Sequence, residues 1–200
     1  MFTGLIDIWC PSSELLERLG DELIPEAKRV GKEVWFYDAA GRSRTLSCLG
    51  LYRWRFWYAW NLGLTGVGWW TYDQGDYFWD GPNPSGDYFM TIYKTPGQIV
   101  TSKRWEVARA GIEDYEILYL LKNSVQRARK QGITSAALDE AEMLLEELPR
   151  SVETTLQRTG RRLPLTPDSV PLYTAATEVI QEARQRIIQA CIGLNEMLEK

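Results

Sequence analysis

Residues 32–72, KEVWFYDAAGRSRTLSCLGLYRWRFWYAWNLGLTGVGWWTY, decide the fold. The stretch opens on KEVWFYDAAG, a run of β-branched and aromatic residues with a polar exit at Asp38 and a stop at Gly41. That pattern predicts a buried strand. YRWRFWYAWNLGL (52–64) has helical length and is closed by Gly63, and TGVGWWTY (65–72) predicts another strand. The two strands are apolar through most of their length rather than alternating. Such runs, separated by helices, are the signature of parallel strands covered on both faces.

Working upstream, FTGLIDIWCPSSELLERL (2–19) predicts a short strand over about Leu5 to Trp9. A helix then starts at Pro11 and Ser12, with Glu14 and Glu17 in the first turns, where the helix dipole favours acid. Three successive βα units therefore end near Tyr72. A lone three-stranded parallel sheet leaves two apolar edges bare, and three strands cannot close a barrel. A β/α barrel takes eight units and roughly 250 residues. The expected fold class is α/β: the C-terminal part of a β/α (TIM-type) barrel with three parallel βα units, followed by C-terminal α-helices. On that expectation Met1 is an internal or truncated start.

Downstream, residues 73–101 are rich in Gly, Pro and Asp and predict a long loop. Thr101 or Ser102 can cap a helix whose apolar positions Val107, Ala108, Ile112, Tyr115, Leu118 and Tyr119 keep the helical period, running to about Gln131 before Gly132. The rest is helical: TSAALDEAEMLLEELPRSVETTLQR, expected to break at Pro149, a linker GRRLPLTPDSVP, and LYTAATEVIQEARQRIIQACIGLNEMLEK with an apolar stripe. Composition changes from aromatic to Leu/Glu/Arg-rich near residue 130. The expected domains are 1–131, the barrel portion, and 132–200, a helical extension.

A net charge of -4 over 200 residues argues against nucleic acid as a general partner, because phosphate binding needs a cationic surface. No apolar run approaches the roughly 18 residues that would span a bilayer, and no basic segment precedes an apolar stretch at the start, so neither membrane nor signal peptide is expected. Nothing in these residues shows export. Cys10, Cys48 and Cys191 are widely spaced and suggest neither a disulfide framework nor a zinc cluster. The absence of histidine removes Ser/His and Cys/His nucleophile systems and the commonest metal ligand. No metal and no cofactor are expected, and any catalysis must use carboxylates, tyrosines or a partner's groups.

The extreme feature is tryptophan, nine residues with seven between Trp35 and Trp79. In GVGWWTYDQGDYFWDG (66–81) the rings continue past the expected strand end and are interleaved with aspartates. A sugar has apolar C–H faces and a rim of hydroxyls, so its pocket needs flat rings and short carboxylates. Trp70, Tyr72, Asp73 and Trp79 supply that mixture. Barrel core and loop packing would also use these rings singly, but the cluster as a whole favours sugar. Asp7 and Trp9, ending the first strand, and Tyr37 and Asp38, ending the second, are all candidates for the same mouth. Tyr37 is either a hydrogen-bond donor to a substrate acetamido group or a buried structural tyrosine. Glu113, Asp114 and Glu116 invite an acid/base reading, but Arg109 four residues before Glu113 suggests a helix-surface ion pair.

Two segments, RWRFWYAWNLGLTGVGWWTYDQGDYFW (Arg53 to Trp79) and TSKRWEVARAGIEDYEILYLLK (Thr101 to Lys122), resemble the C-terminal portion of the catalytic barrel of glycoside hydrolase family 123, the β-N-acetylgalactosaminidase type. The likeness covers roughly residues 5 to 125. It rests on a Trp-x-x-Trp helix, a Gly-x-x-Gly-aromatic strand and a Gly-Ile-Glu-Asp-Tyr-Glu helix in order. The resemblance implies that the three strands are the last of eight, with their C-terminal ends at the active-site mouth, and that Ser85, Gly86 and Asp87 match the loop after the last strand. Arg109, Ala110 and Gly111 depart from the family's Arg-Asp-Gly. It further implies hydrolysis of β-linked N-acetylhexosaminides, N-acetylgalactosamine favoured, assisted by the substrate's 2-acetamido oxygen, with an Asp–Glu pair at a strand end orienting the amide and protonating the leaving oxygen. Asp21–Glu22 and Asp139–Glu140 both fall in helical stretches, so the pair is expected upstream of this chain. The expected partners are a carbohydrate substrate and the remainder of the barrel polypeptide. The competing expectation is a non-catalytic carbohydrate-binding or scaffold protein. A third is a helical interaction module in 133–200, whose apolar stripe more readily packs on the barrel.

Overall fold

The fold comes from a computed structural model that describes residues 5–38, 49–69, 72, 91–157 and 170–199. The elements in chain order are β1 (Ile8–Trp9), α1 (Ser13–Arg29), β2 (Glu33–Asp38), α2 (Leu49–Leu62), β3 (Gly66–Trp69), β4 (Ile92–Thr95), β5 (Gln98–Thr101), α3 (Lys103–Lys130), α4 (Ala136–Gln157) and α5 (Val170–Leu198). Strands β1, β2 and β3 form one parallel sheet in that order, Ile8 opposite Glu33, and Trp35 through Asp38 opposite Gly66 through Trp69. The chain is thus mixed α/β, mostly helical, with the expected three-stranded parallel sheet. β1 is shorter than the Leu5-to-Trp9 reading.

Local chemistry explains the element ends. Ser12 caps α1, its hydroxyl accepting from the Leu15 amide at 3.2 Å, and Ser102 caps α3 by accepting from the Trp105 amide at 3.3 Å. Of the two expected caps, Thr101 and Ser102, the second is used. Gly63 and Gly132 follow α2 and α3 with φ of 64° and 72°, left-handed values that stop a helix without strain.

Three expectations change. Residues 92–101 lie inside the expected loop but form an antiparallel hairpin, β4 with β5, turned at Pro96–Gly97 with Gly97 at φ 82°. The signal was present in the sequence as two β-branched runs around Pro-Gly. Pro149 does not break α4, which continues through it. Its side of the helix is buried, and Asn61 of α2 donates to the Pro149 carbonyl at 2.8 Å, so tertiary packing outweighs the one lost backbone bond. Among the described residues, helices cover one face of the sheet. Burial along β2 alternates, Val34, Phe36 and Asp38 being buried while Glu33 and Trp35 are exposed.

The core sits on α2, whose residues Gly50 to Ala59 are all buried. The sheet packs on it from one side and α3, α4 and α5 from others, which is why its sequence is apolar all round rather than amphipathic. The 132–200 segment, read as a helical extension, joins this same buried cluster through Leu138, Leu144, Ile180 and Ile187. Gly111 of α3 lets the two helices meet closely, since a Cβ there would overlap the Phe56 ring.

Candidate functional site at the carboxyl ends of the strands

Parallel strands point their carboxyl ends the same way, so Trp9, Asp38 and Trp69 finish on one rim of the sheet. Pleating then sorts the side chains by face. On the helix side Phe36 meets Tyr58 edge-on with centroids 5.4 Å apart, and Trp69 meets Tyr52 and Phe56 at 6.2 and 6.3 Å. Asp38 lies on this side too: it is buried, and Arg55 of α2 donates to it at 3.2 Å. The same guanidinium stands 4.6 Å above the Tyr52 ring. Trp9, paired in register with Val34, packs against the same core.

Of the expected site residues, Tyr37 alone is placed by the described strands on the opposite face at the carboxyl end. It is half-buried and stands beside Gly68, which leaves β3 without a side chain there. Behind it Trp35 lies across Gly66, where a Cβ would overlap the indole ring. Trp35 is held by its Nε1–H, which donates to Glu33 at 3.3 Å, and Thr65 donates to the same carboxylate oxygen at 2.7 Å. No described helix packs on this face, and Ile8 and Trp35 are 38% and 37% exposed.

Tyr72 marks the outer end of the rim. It is exposed, and its ring meets Trp105 edge-on at 5.7 Å. Its carbonyl accepts from the Ile92 amide at 3.1 Å and the Thr91 hydroxyl at 3.4 Å, while Ser102 donates to the Thr91 carbonyl at 2.6 Å. The hairpin and the start of α3 therefore fix the backbone of Tyr72. Trp70, Asp73, Trp79 and Asp87, with Ser85 and Gly86, lie outside the described residues.

Sequence reasoning passed over two residues of this rim. Arg55 was legible in principle, since an arginine inside an unbroken aromatic helix must be buried and needs an acid. Trp105 had as its signal its place one turn after the Ser102 cap.

The acidic group on α3 divides in a way that spacing could not show. Arg109 pairs with Glu113 and with Glu106 on the exposed surface, as expected from its position. Asp114 is buried. It accepts from Arg53 twice, at 2.6 and 2.9 Å, from Arg184 at 2.6 Å and from the Trp57 indole at 2.9 Å, while Arg53 also donates to Gln181 at 3.1 Å. A carboxylate so saturated by cations ties α2, α3 and α5 together.

Partial burial pushes the thiols of Cys10 and Cys191 above the ordinary value, so neither is a thiolate at neutral pH. Among the described residues no group of three or more His, Cys, Asp or Glu side chains could hold a metal ion. No described helix is long and apolar enough to cross a membrane. Asp21–Glu22 sits in α1 and Asp139–Glu140 in α4, so neither pair reaches a strand end. No family model, no curated protein and no solved structure matches the chain.

Proposed function

We propose that this chain is the C-terminal portion of a glycoside hydrolase barrel that binds β-linked N-acetylhexosaminides, N-acetylgalactosamine in particular, with the catalytic Asp–Glu pair supplied by a preceding segment. The observation behind the reading is the face of the sheet on which no described helix packs. A tyrosine hydroxyl at a strand's carboxyl end, next to a glycine and in line with an indole, offers a flat apolar surface and a donor. Those are the two things a sugar's C–H face and acetamido oxygen require. The eight-stranded closure, with β1, β2 and β3 as its last strands, belongs to the same proposal. It would turn that face inward, as side chains fill a barrel.

Tryptophan emission of the folded chain should change saturably with N-acetylgalactosamine and not with galactose or glucose. Tyr37→Phe should weaken that response by removing the hydroxyl while keeping the ring. A folded chain that ignores all three sugars would overturn the reading.

A non-catalytic carbohydrate-binding protein is the second reading. It is favoured by the placement of both Asp–Glu pairs of the described residues on helices, away from the rim. The acetamido-dependent response would be the same, so the two are separated by whether the segment preceding this chain places an Asp–Glu pair at a strand end.

A further inference from the structure

Away from the sheet, α4 and α5 leave a groove of about 380 Å³ between them. Its floor is Leu144 and Leu194, both buried. Small residues lower its walls, and at Gly193 an added Cβ would meet nothing within 4 Å, so the groove is open. Glu140 stands on the α4 wall and Arg186 on the α5 wall, both exposed, and neither forms an ion pair among the described residues. Met143 and Ile192, each next in sequence to a groove residue, are 52% and 48% exposed.

We propose that this face docks a second copy of the chain about a two-fold axis, the two α4–α5 pairs forming a four-helix bundle. The occupant follows from the charges. An acid on one wall and a base on the other make the surface self-complementary: a two-fold partner lays its α5 wall over α4 and its α4 wall over α5, forming two reciprocal Glu140–Arg186 pairs. Between them the buried leucine floor and the low walls let helices approach closely, and Met143 and Ile192 gain the cover they lack in one copy. A partner with only one sign of charge would leave one wall unmatched.

Sedimentation or light scattering on the full 200-residue chain tests this, with circular dichroism to verify folding of each variant. The expected result is a mass that rises from one chain to two with concentration. Glu140→Arg should weaken the dimer about tenfold or more by setting like charges face to face, and the double variant E140R/R186E should restore it. Gly193→Trp should fill the groove and leave a folded monomer. A chain that stays monomeric over the accessible concentration range would overturn the proposal. So would a dimer untouched by both E140R and G193W, or one that the reciprocal charge exchange fails to restore.

Discussion

The two faces of the three-stranded sheet are built from the same kinds of residue and do opposite things. On the helix side, Val34, Phe36 and Asp38 are buried under α2, whose Arg55 pairs with Asp38 and whose Arg53 meets Asp114 of α3 together with Arg184 of α5. On the other side, Trp35 rests on Gly66, Tyr37 stands beside Gly68, and Ile8 is exposed. The first face is stabilised by burial and by saturated charge; the second is aromatic and, among the described residues, has no helix packed on it. The difference teaches that aromatic content alone does not report core, since a ring laid on glycine is organised while still presenting its surface.

The largest expected effect lies on the buried side. Asp114→Ala would take from Arg53, Arg184 and the Trp57 indole N–H their shared buried acceptor, costing about 3–5 kcal/mol, as read from chemical denaturation. Phe36→Ala should follow at about 3 kcal/mol or more, from lost transfer energy plus the cavity under Tyr58. Equal losses from Trp35→Ala would erase the contrast between the faces.

On the other face the effects should be smaller and coupled. Gly66→Ala drives a methyl into the Trp35 ring and should cost about 1–3 kcal/mol. Trp35→Ala frees that space, so the double variant should be less destabilised than the sum of the singles, a double-mutant cycle measuring the contact. Strict additivity would mean that the indole does not lie on β3.

The smallest effect is electrostatic. Lys32, just before β2, donates to Asp7 at 2.8 Å, just before β1, and this hydrogen bond and its charge hold the Asp7 carboxyl below the usual carboxylate range. With the folded value below the unfolded one, the contribution is present above the unfolded value and is lost as pH falls through the folded one. Acid should therefore loosen the β1–β2 pairing slightly. Asp7→Asn should flatten that part of the pH–stability curve, which native-state hydrogen exchange at β1 would register.

Much of the fold was legible. Helix starts at Ser12 and Ser102 and stops at Gly63 and Gly132 follow from local chemistry, because capping and left-handed glycines act over a few residues, and the three parallel strands were read from apolar runs alternating with helices. The Pro96–Gly97 hairpin was legible but masked by the general Gly/Pro/Asp richness of the segment, and Pro149 misled because propensity says nothing of what packs on a helix. The site was legible only as a list of aromatic and acidic residues near strand ends. Which of them share a face was not, since a strand read as apolar throughout hides its alternation.

The sequence by itself determined the helix starts at Ser12 and Ser102, the stops at Gly63 and Gly132 and the aromatic residues at the strand ends, since these rest on interactions between residues near in the chain. Only the tertiary structure decided that Asp38 turns to Arg55 while Tyr37 turns away, that Asp114 is buried while Glu113 is at the surface, and that α4 and α5 enclose α2. Each of those depends on partners 17 to 128 residues apart. At such separations spacing carries no information, and the choice is made by which burial leaves no charge without a partner.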